Sequence, residues 1–228
     1  AQGRTQFIAP LTHQGRMHPE VARFPSHAFY HREQLSAVGL PHQQEDALNY
    51  AVPPVDALDR ILQNRRVIFL DSTPQLNSHH STLNTQNSPE ARIVADLLRR
   101  IHRFYGERFD AQMTVGVIVP YRSQITAIRQ ELEAHGDTTV LINVSIDTVE
   151  RYQGSQRDVI IYSFTATQHY QLDFLTANTF DEDGLPIDRK LNVALTRARR
   201  QMIMVGNTKL LRSVPLFRQL IDDYLITP

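Results

Sequence analysis

The sequence predicts an α/β fold with a mostly parallel sheet, on three observations. Five short apolar, β-rich runs recur along the chain: Val67–Asp71, Val115–Val119, Val140–Val149, Val159–Phe164 and Gln201–Val205. Most are continuously apolar rather than alternating, as strands buried on both faces must be. Helical patterns of about 10–17 residues lie between them, the alternation that builds parallel sheets.

Taken in order, the chain first shows Gln14-Gly15-Arg16-Met17-His18-Pro19 leading into a short helix with Phe24, Phe29 and Tyr30. Residues 37–65 read as a polar, irregular insertion containing Pro53-Pro54, and Asn77–Asn87 as a polar loop. After the first strand, Ala91, Val94, Ala95, Leu98 and Ile101 fall at helical spacing within Pro89–Tyr105, with Ser88 as the expected N-cap and Pro89 at the first position. Ser123–His135 repeats the pattern through Ile125, Ile128 and Leu132, and Gly136 stops it. A polar turn around Gly154 follows the third run, and residues 168–188, with Asp181-Glu182-Asp183-Gly184, read as a solvated insertion. A helix is expected from Arg189 to Arg200, with Leu191, Ala194, Leu195 and Ala198 on its packed stripe and Lys190, Arg197 and Arg200 on another face. Pro215–Leu225 closes the chain as an amphipathic helix.

Length and composition agree with one domain. The 228 residues, 41% hydrophobic and 21% charged, supply core for a single unit over residues 1–228, with 1–36 as a lead-in motif and helix. Equal counts of 24 basic and 24 acidic residues exclude a freestanding polybasic nucleic-acid binder, though not a domain that forms one wall of a channel. Lys190 and Lys209 are the only lysines, so the basic set is almost wholly arginine, whose planar fork suits phosphate and carboxylate. The absence of cysteine excludes disulfides, thiolate nucleophiles and cysteine zinc sites. No apolar run approaches the roughly 18 residues of a membrane span, and a cytoplasmic protein without membrane contact is expected. A start at Ala-Gln-Gly, without an initiator Met, suggests a segment of a longer protein.

Four stretches carry more chemistry than a scaffold needs. Arg16, at a turn beside a sheet, suits a phosphate clamp, although Arg-x-His-Pro also fits a surface turn. Val119-Pro120-Tyr121-Arg122-Ser123-Gln124 ends a strand and begins a helix. That puts Tyr121, Ser123 and Gln124 where α/β sheets recognise ligands, or leaves Tyr121 a packed loop aromatic. Between Asp147 and Asp158, Gln153 and Gly154 offer an amide and open backbone N–H groups to phosphate or ribose, in what could equally be a hairpin-like turn. In Asn192-Val193-Ala194-Leu195-Thr196-Arg197-Ala198-Arg199, the basic face is either solvated or presents an arginine finger from a rigid helix. His13, His18, His79 and His80 lack converging carboxylates, so no metal site is expected.

Together these stretches resemble the second RecA-like domain of superfamily 1 helicases, in the branch of RNA-surveillance and related DNA-processing helicases. That family's Tyr-Arg-Met-His-Pro is matched by Gly15–Pro19, its Thr-Pro-Tyr-x-x-Gln by Val119–Gln124, its Val-Asp-x-Phe-Gln-Gly-x-Glu-x-Asp by Val149–Asp158, and its Asn-Val-Ala-Leu-Thr-Arg-Ala-Arg by Asn192–Arg199. The four occur in family order and span nearly the whole chain. The resemblance implies a RecA-like P-loop NTPase fold and sets Arg16 and Arg197 on the γ-phosphate of ATP as catalytic groups. It puts Gln153, Gly154 and Gln156 at the nucleotide, and Pro120, Tyr121 and Thr148 near single-stranded DNA or RNA. Gly15 replaces an adenine-stacking Tyr, Gln156 a Glu, Glu150 an Asp, Tyr152 a Phe and Val119 a Thr.

No Gly-x-x-x-x-Gly-Lys-[Ser/Thr] loop occurs, nor an apolar strand ending in Asp-Glu to hold magnesium. In the resembling family both belong to the first RecA-like domain. The implied parent is a two-domain ATP-dependent helicase or translocase that closes around ATP·Mg²⁺ and steps along single strands, while this part alone is inactive. The competing expectation is a degenerate, non-catalytic nucleic-acid-binding or adaptor module.

Overall fold

Strands that are apolar on both faces need cover from two sides, and the chain provides it. The fold is seen in a computed structural model, which describes residues 12–32, 34–73, 87–136, 140–152 and 154–226. A two-residue strand, β1 (His13–Gln14), precedes α1 (Pro19–Phe29) and pairs in parallel with β2 (Ser36–Ala37). Then come α2 (Ala57–Asn64), β3 (Val67–Asp71), α3 (Ser88–Tyr105), β4 (Val115–Val119), α4 (Arg122–Ala134), β5 (Ser145–Thr148) and β6 (Arg157–Ser163). The remainder is α5 (Tyr170–Thr176), the antiparallel hairpin of β7 (Thr179–Glu182) and β8 (Leu185–Asp188), α6 (Arg189–Leu195), β9 (Ala198–Gly206), α7 (Thr208–Leu211) and α8 (Pro215–Tyr224).

The central sheet has the order β3-β9-β6-β4-β5, parallel throughout. Alternate residues of each strand enter opposite cores, as the period of two requires. Ile68, Val117, Ile161 and Ile203 pack under α3 and α4; Phe69, Ile118, Ile160 and Met204 pack against α1, α6 and α8. The predicted α/β class and mostly parallel sheet are what the molecule has.

Differences from expectation have local causes. The insertion at 37–65 contains a 3₁₀ turn at Pro41–Gln43 and α2, which is capped by Asp56. Asp59 of α2 is fully buried and held by Arg100 at 2.6 Å and Arg103 at 2.5 Å on α3. The insertion at 168–188 contains α5 and the hairpin; Leu172, Leu175 and Ile187 tie it to the core. Of the predicted strand Val140–Val149 only Ser145–Thr148 pairs, after a 3₁₀ turn at Leu141–Asn143. The turn after it makes no hairpin: β5 and β6 flank β4 on opposite sides. The N-cap of α3 is Asn87 rather than Ser88, its side chain accepting from the Glu90 N–H at 3.2 Å. The remainder of the predicted Asn77–Asn87 loop, with His79 and His80, lies outside the described residues.

A buried polar knot gathers the carboxyl ends of the sheet. The Glu90 carboxylate accepts from Ser163 Oγ (2.6 Å), the Thr165 N–H (2.8 Å), Ser72 Oγ (3.0 Å) and Asn87 Nδ2 (3.0 Å). It thereby holds Thr165 at φ +62°, a left-handed conformation costly for a β-branched residue. Asn87 in turn exchanges two hydrogen bonds with the fully buried Gln124 amide, locking α3 to α4.

Burial pushes Glu90 up from 4.5 to about 7, against the pull of its bonds from Ser163, Thr165 and Ser72. The folded state therefore keeps a proton that the unfolded chain has lost between pH 4.5 and 7. This group's contribution falls as pH rises through that window, by about 3 kcal/mol in all. Unfolding free energies measured from pH 5 to 8 should decline more steeply for the wild type than for Glu90→Gln.

Candidate functional site

The predicted site residues fall at two opposite ends of the sheet. Strands β6 and β9 begin immediately after Gln156 and Arg197, so both residues sit at the amino edge. Arg16 joins them there. Its Nη1 donates to the Thr196 carbonyl at 3.1 Å across 180 residues of sequence, and its Nε donates to Gln156 Oε1 at 3.3 Å. The structure thus brings Arg16, Gln156 and Arg197 together. Gly154, exposed at φ +81° two residues before Gln156, turns the chain in a conformation that favours glycine. Gln153 lies outside the described residues.

Arg16 is fixed by its surroundings. Gln14 closes the turn on itself, with Oε1 accepting from the N–H groups of Arg16 and Met17 and Nε2 donating to the Met17 carbonyl. From the 41–45 segment, His42 Nε2 reaches the Arg16 carbonyl at 2.8 Å, and Gln43 Nε2 donates to the carbonyls of Gln14 and Met17. The backbone N–H of His18 donates to the Arg199 carbonyl at 2.7 Å, docking the turn on β9. Burial, then Arg66, holds the His18 imidazole below its ordinary pKa. A neutral ring fits its double role, with Nδ1 accepting from Glu20 N–H while Nε2 meets the Glu45 carbonyl. Nothing in the sequence points to His42 and Gln43, two polar side chains in an apolar-poor stretch.

Arg197 departs from expectation. Helix α6 ends at Leu195, where Thr196 Oγ1 donates back to the Asn192 carbonyl at 2.7 Å, and Ala198 already pairs with Arg157 in the sheet. Arg197 therefore projects from a helix-to-strand turn rather than a helix, and Arg200 and Ala198 belong to β9. The expected common face of Lys190, Arg197 and Arg200 does not form. Arg200 pairs with Glu45 at 2.8 Å and lies 3.8 Å from Asp158, while Arg199 pairs with Asp158 at 3.1 Å. Burial raises the Asp158 pKa, against Arg200 and Arg199. This cluster rivets the start of β6 to β9.

Electrostatically the Arg16–Arg197 pair stands out. Burial, then the charge of Arg16, lowers the Arg197 pKa, and its buried Nε has no hydrogen-bond partner. Nearby, Asn192 Nδ2 donates to Tyr30 Oη at 3.3 Å while its Oδ1 is unpartnered. Neither arginine has a carboxylate partner among the described residues. Two like charges without a counterion fit a bound polyanion, such as a triphosphate. Gly15 is exposed, with the partly exposed Leu40 and Val38 side chains 3.4 and 3.5 Å from where a Cβ would stand.

Pro120, Tyr121 and Thr148 lie together at the carboxyl edge, Val119 pairing with Thr148 across β4 and β5. Gln124, expected among recognition residues, is instead the buried link between α3 and α4. Tyr121 stacks on Phe174 of α5, with ring centroids 4.9 Å apart and planes at 25°. Lys190 Nζ pairs with Glu150 at 3.2 Å and sits 4.4 Å from the Phe174 centroid. Among the described residues no cluster of three His, Asp or Glu could hold a metal ion, and no helix is long and apolar enough to cross a membrane.

Fold and motif geometry define a RecA-like helicase domain, and comparison with known proteins agrees. The chain matches the AAA domain family over residues 2–209. Helicase SEN1 of Saccharomyces cerevisiae is 26% identical over 92% of this chain and 9% of its own length. Regulator of nonsense transcripts 1 of Dictyostelium discoideum is 30% identical over 94% of this chain and 15% of its own. An uncharacterized ATP-dependent helicase of Methanocaldococcus jannaschii is 24% identical over 95% and 29%. The chain thus spans less than a third of these relatives. In fold, the C-terminal domain of a possible DNA helicase from Lactobacillus plantarum aligns with a TM-score of 0.50 at 13% identity, covering 93% of this chain and 98% of that one. The chain belongs to the AAA domain family, as a C-terminal RecA-like domain of the superfamily 1 helicases.

Removing the rivet tests how the amino edge is held. Asp158→Ala should cost about 2 kcal/mol in urea unfolding, because it strands the Arg199 charge and removes one partner of Arg200.

Proposed function

We propose that this chain is the second motor domain of an ATP-dependent helicase or translocase, and that its amino edge completes a triphosphate site held mainly by a preceding RecA-like domain. The observation that carries this reading is the uncompensated pair Arg16 and Arg197, with its buried, unpartnered Nε. Bound between the two domains with Mg²⁺, ATP would supply the phosphoryl group for transfer to water. Arg16 and Arg197 would hold the charge spread over its oxygens, and the fixed Arg16 turn supplies that charge without reorganisation. Gly154 and Gln156, with Gln153 beside them, would report nucleotide state to the segment that leads back to the carboxyl edge. There, Pro120, Tyr121 and Thr148 would form one wall of a single-strand channel.

A second reading, a non-catalytic nucleic-acid-binding or adaptor module, is favoured by one observation: Arg16 meets the neutral amide of Gln156 where the family has a carboxylate. The motor reading is the stronger, because a neutral partner leaves the arginine charge available to phosphate.

ATP turnover by the full-length protein, with and without single-stranded DNA or RNA, separates the two. Strand-stimulated turnover is expected, and Arg197→Ala and Arg16→Ala should each lower kcat by about 10³-fold. Wild-type protein that binds strands without turning over ATP would establish the adaptor. Turnover within about twofold of wild type in Arg197→Ala would remove the finger assignment.

A further inference from the structure

We propose that Glu90 is a positioning residue for the single-strand edge, holding the backbone where β6 leaves the sheet and the turn where α4 begins in the arrangement that nucleic acid meets. The proposal rests on the nucleic-acid reading of the carboxyl edge and names the group that sets its shape.

The geometry runs outward from one carboxylate along two branches. Toward β6, Glu90 Oε1 accepts from Ser163 Oγ and the Thr165 N–H, and Thr165, fully buried, is held at φ +62°. Beyond it, the Gln171 amide oxygen accepts from the Thr167 N–H and hydroxyl and from the Gln168 N–H, so residues 163–168 are held at both ends. Toward α4, Glu90 Oε2 accepts from Asn87 Nδ2, and Asn87 exchanges its two bonds with Gln124. The Gln124 N–H then donates to the Tyr121 carbonyl at 3.1 Å. Strands β4 and β6 are neighbours, so both branches end side by side, next to Pro120 and Tyr121.

Two features make this more than a fastening. A left-handed β-branched residue costs energy from which a scaffold alone gains nothing, and such strain gathers where backbone meets a ligand. The knot also depends on charge. Its four donors are accepted in full only by the ionised carboxylate, because a proton on either oxygen would compete with one of them. The groups that face Glu90 are Ser72 at the exit of β3, Asn87 before α3, and Ser163 and Thr165 at the exit of β6, with Gln124 of α4 behind Asn87; none of them titrates. Tyr162 on β6 feels the Glu90 charge, and burial keeps its hydroxyl neutral well above pH 8. With burial pushing Glu90 up to about 7, its ionised fraction climbs from about one-tenth at pH 6 to about nine-tenths at pH 8. Strand affinity should therefore rise through the window in which the same titration lowers the stability of the fold. A carboxylate that only stabilised the fold would not strengthen binding as stability declines.

The test measures binding of a fluorescent single strand of about 12 nucleotides to the full-length protein, at fixed salt, from pH 6 to 8. Dividing by the affinity of Glu90→Gln at each pH cancels every other titrating group, since that amide carries no titratable proton. The ratio should rise about fivefold or more, with its midpoint near pH 7. Ser163→Ala removes a donor that favours the charged form and should move the midpoint to higher pH. Should Glu90→Gln fail to fold, the displacement between the wild-type and Ser163→Ala curves carries the test alone. A ratio flat within about twofold, or a midpoint that Ser163→Ala does not move, overturns the positioning role while leaving the channel reading intact. Wild-type protein that binds the strand at no pH overturns the channel reading itself, and the role with it.

Discussion

Every strand of the central sheet runs the same way, and that constraint organises the rest of the molecule. A parallel pair cannot be joined by a tight turn, so each connection must travel back over a face from the carboxyl edge to the amino edge. Two of these return paths carry the motif residues. Residues 149–156 leave β5 beside Thr148 and arrive at β6 beside Gln156; α5, the hairpin and α6 leave β6 and arrive at β9 beside Arg197. Both return over the same core, and each ties the carboxyl edge of the sheet to the amino edge by a short route.

The return paths are packed rather than loose. Tyr152 donates its hydroxyl to the Ser145 carbonyl at 2.6 Å, and its ring lies over Gly116 of β4, where any Cβ would collide with it. Asp188, almost fully buried, caps α6 by accepting from the Leu191 N–H at 3.0 Å. Lys190 on α6 meets Glu150 on the other path, so the two are fastened to each other near the carboxyl edge. At the amino edge, Arg157 N–H donates to the Arg197 carbonyl at 3.1 Å and fastens them again.

What could be read from the sequence follows from how each element earns its stability. The strands at Val67–Asp71 and Val115–Val119 are continuous apolar runs, and their bounds coincide with those in the structure. Helix α3 was equally plain, because a five-residue apolar stripe and a proline at its start leave little choice. Helix α2 was hidden because its stability comes from Asp59 reaching arginines on another helix, contacts that no local pattern displays. The expected helix runs past the true end of α6 because the apolar stripe continues to Ala198, whereas pairing of that residue with Arg157 draws the chain into the sheet. Arg16, Gln156 and Arg197 could be chosen from their motifs; that Gln156 would touch Arg16 depends on a turn built by His42 and Gln43, far away in sequence.

The near absence of lysine has a consequence for how such a site can be controlled. A guanidinium keeps its charge across the whole physiological pH range, and among the described residues neither Arg16 nor Arg197 has a carboxylate partner. The charge that these two groups carry is therefore constant with pH. On the proposed motor reading, these two charges would act by distance alone, brought toward an anion or withdrawn, and control would be mechanical rather than acid–base.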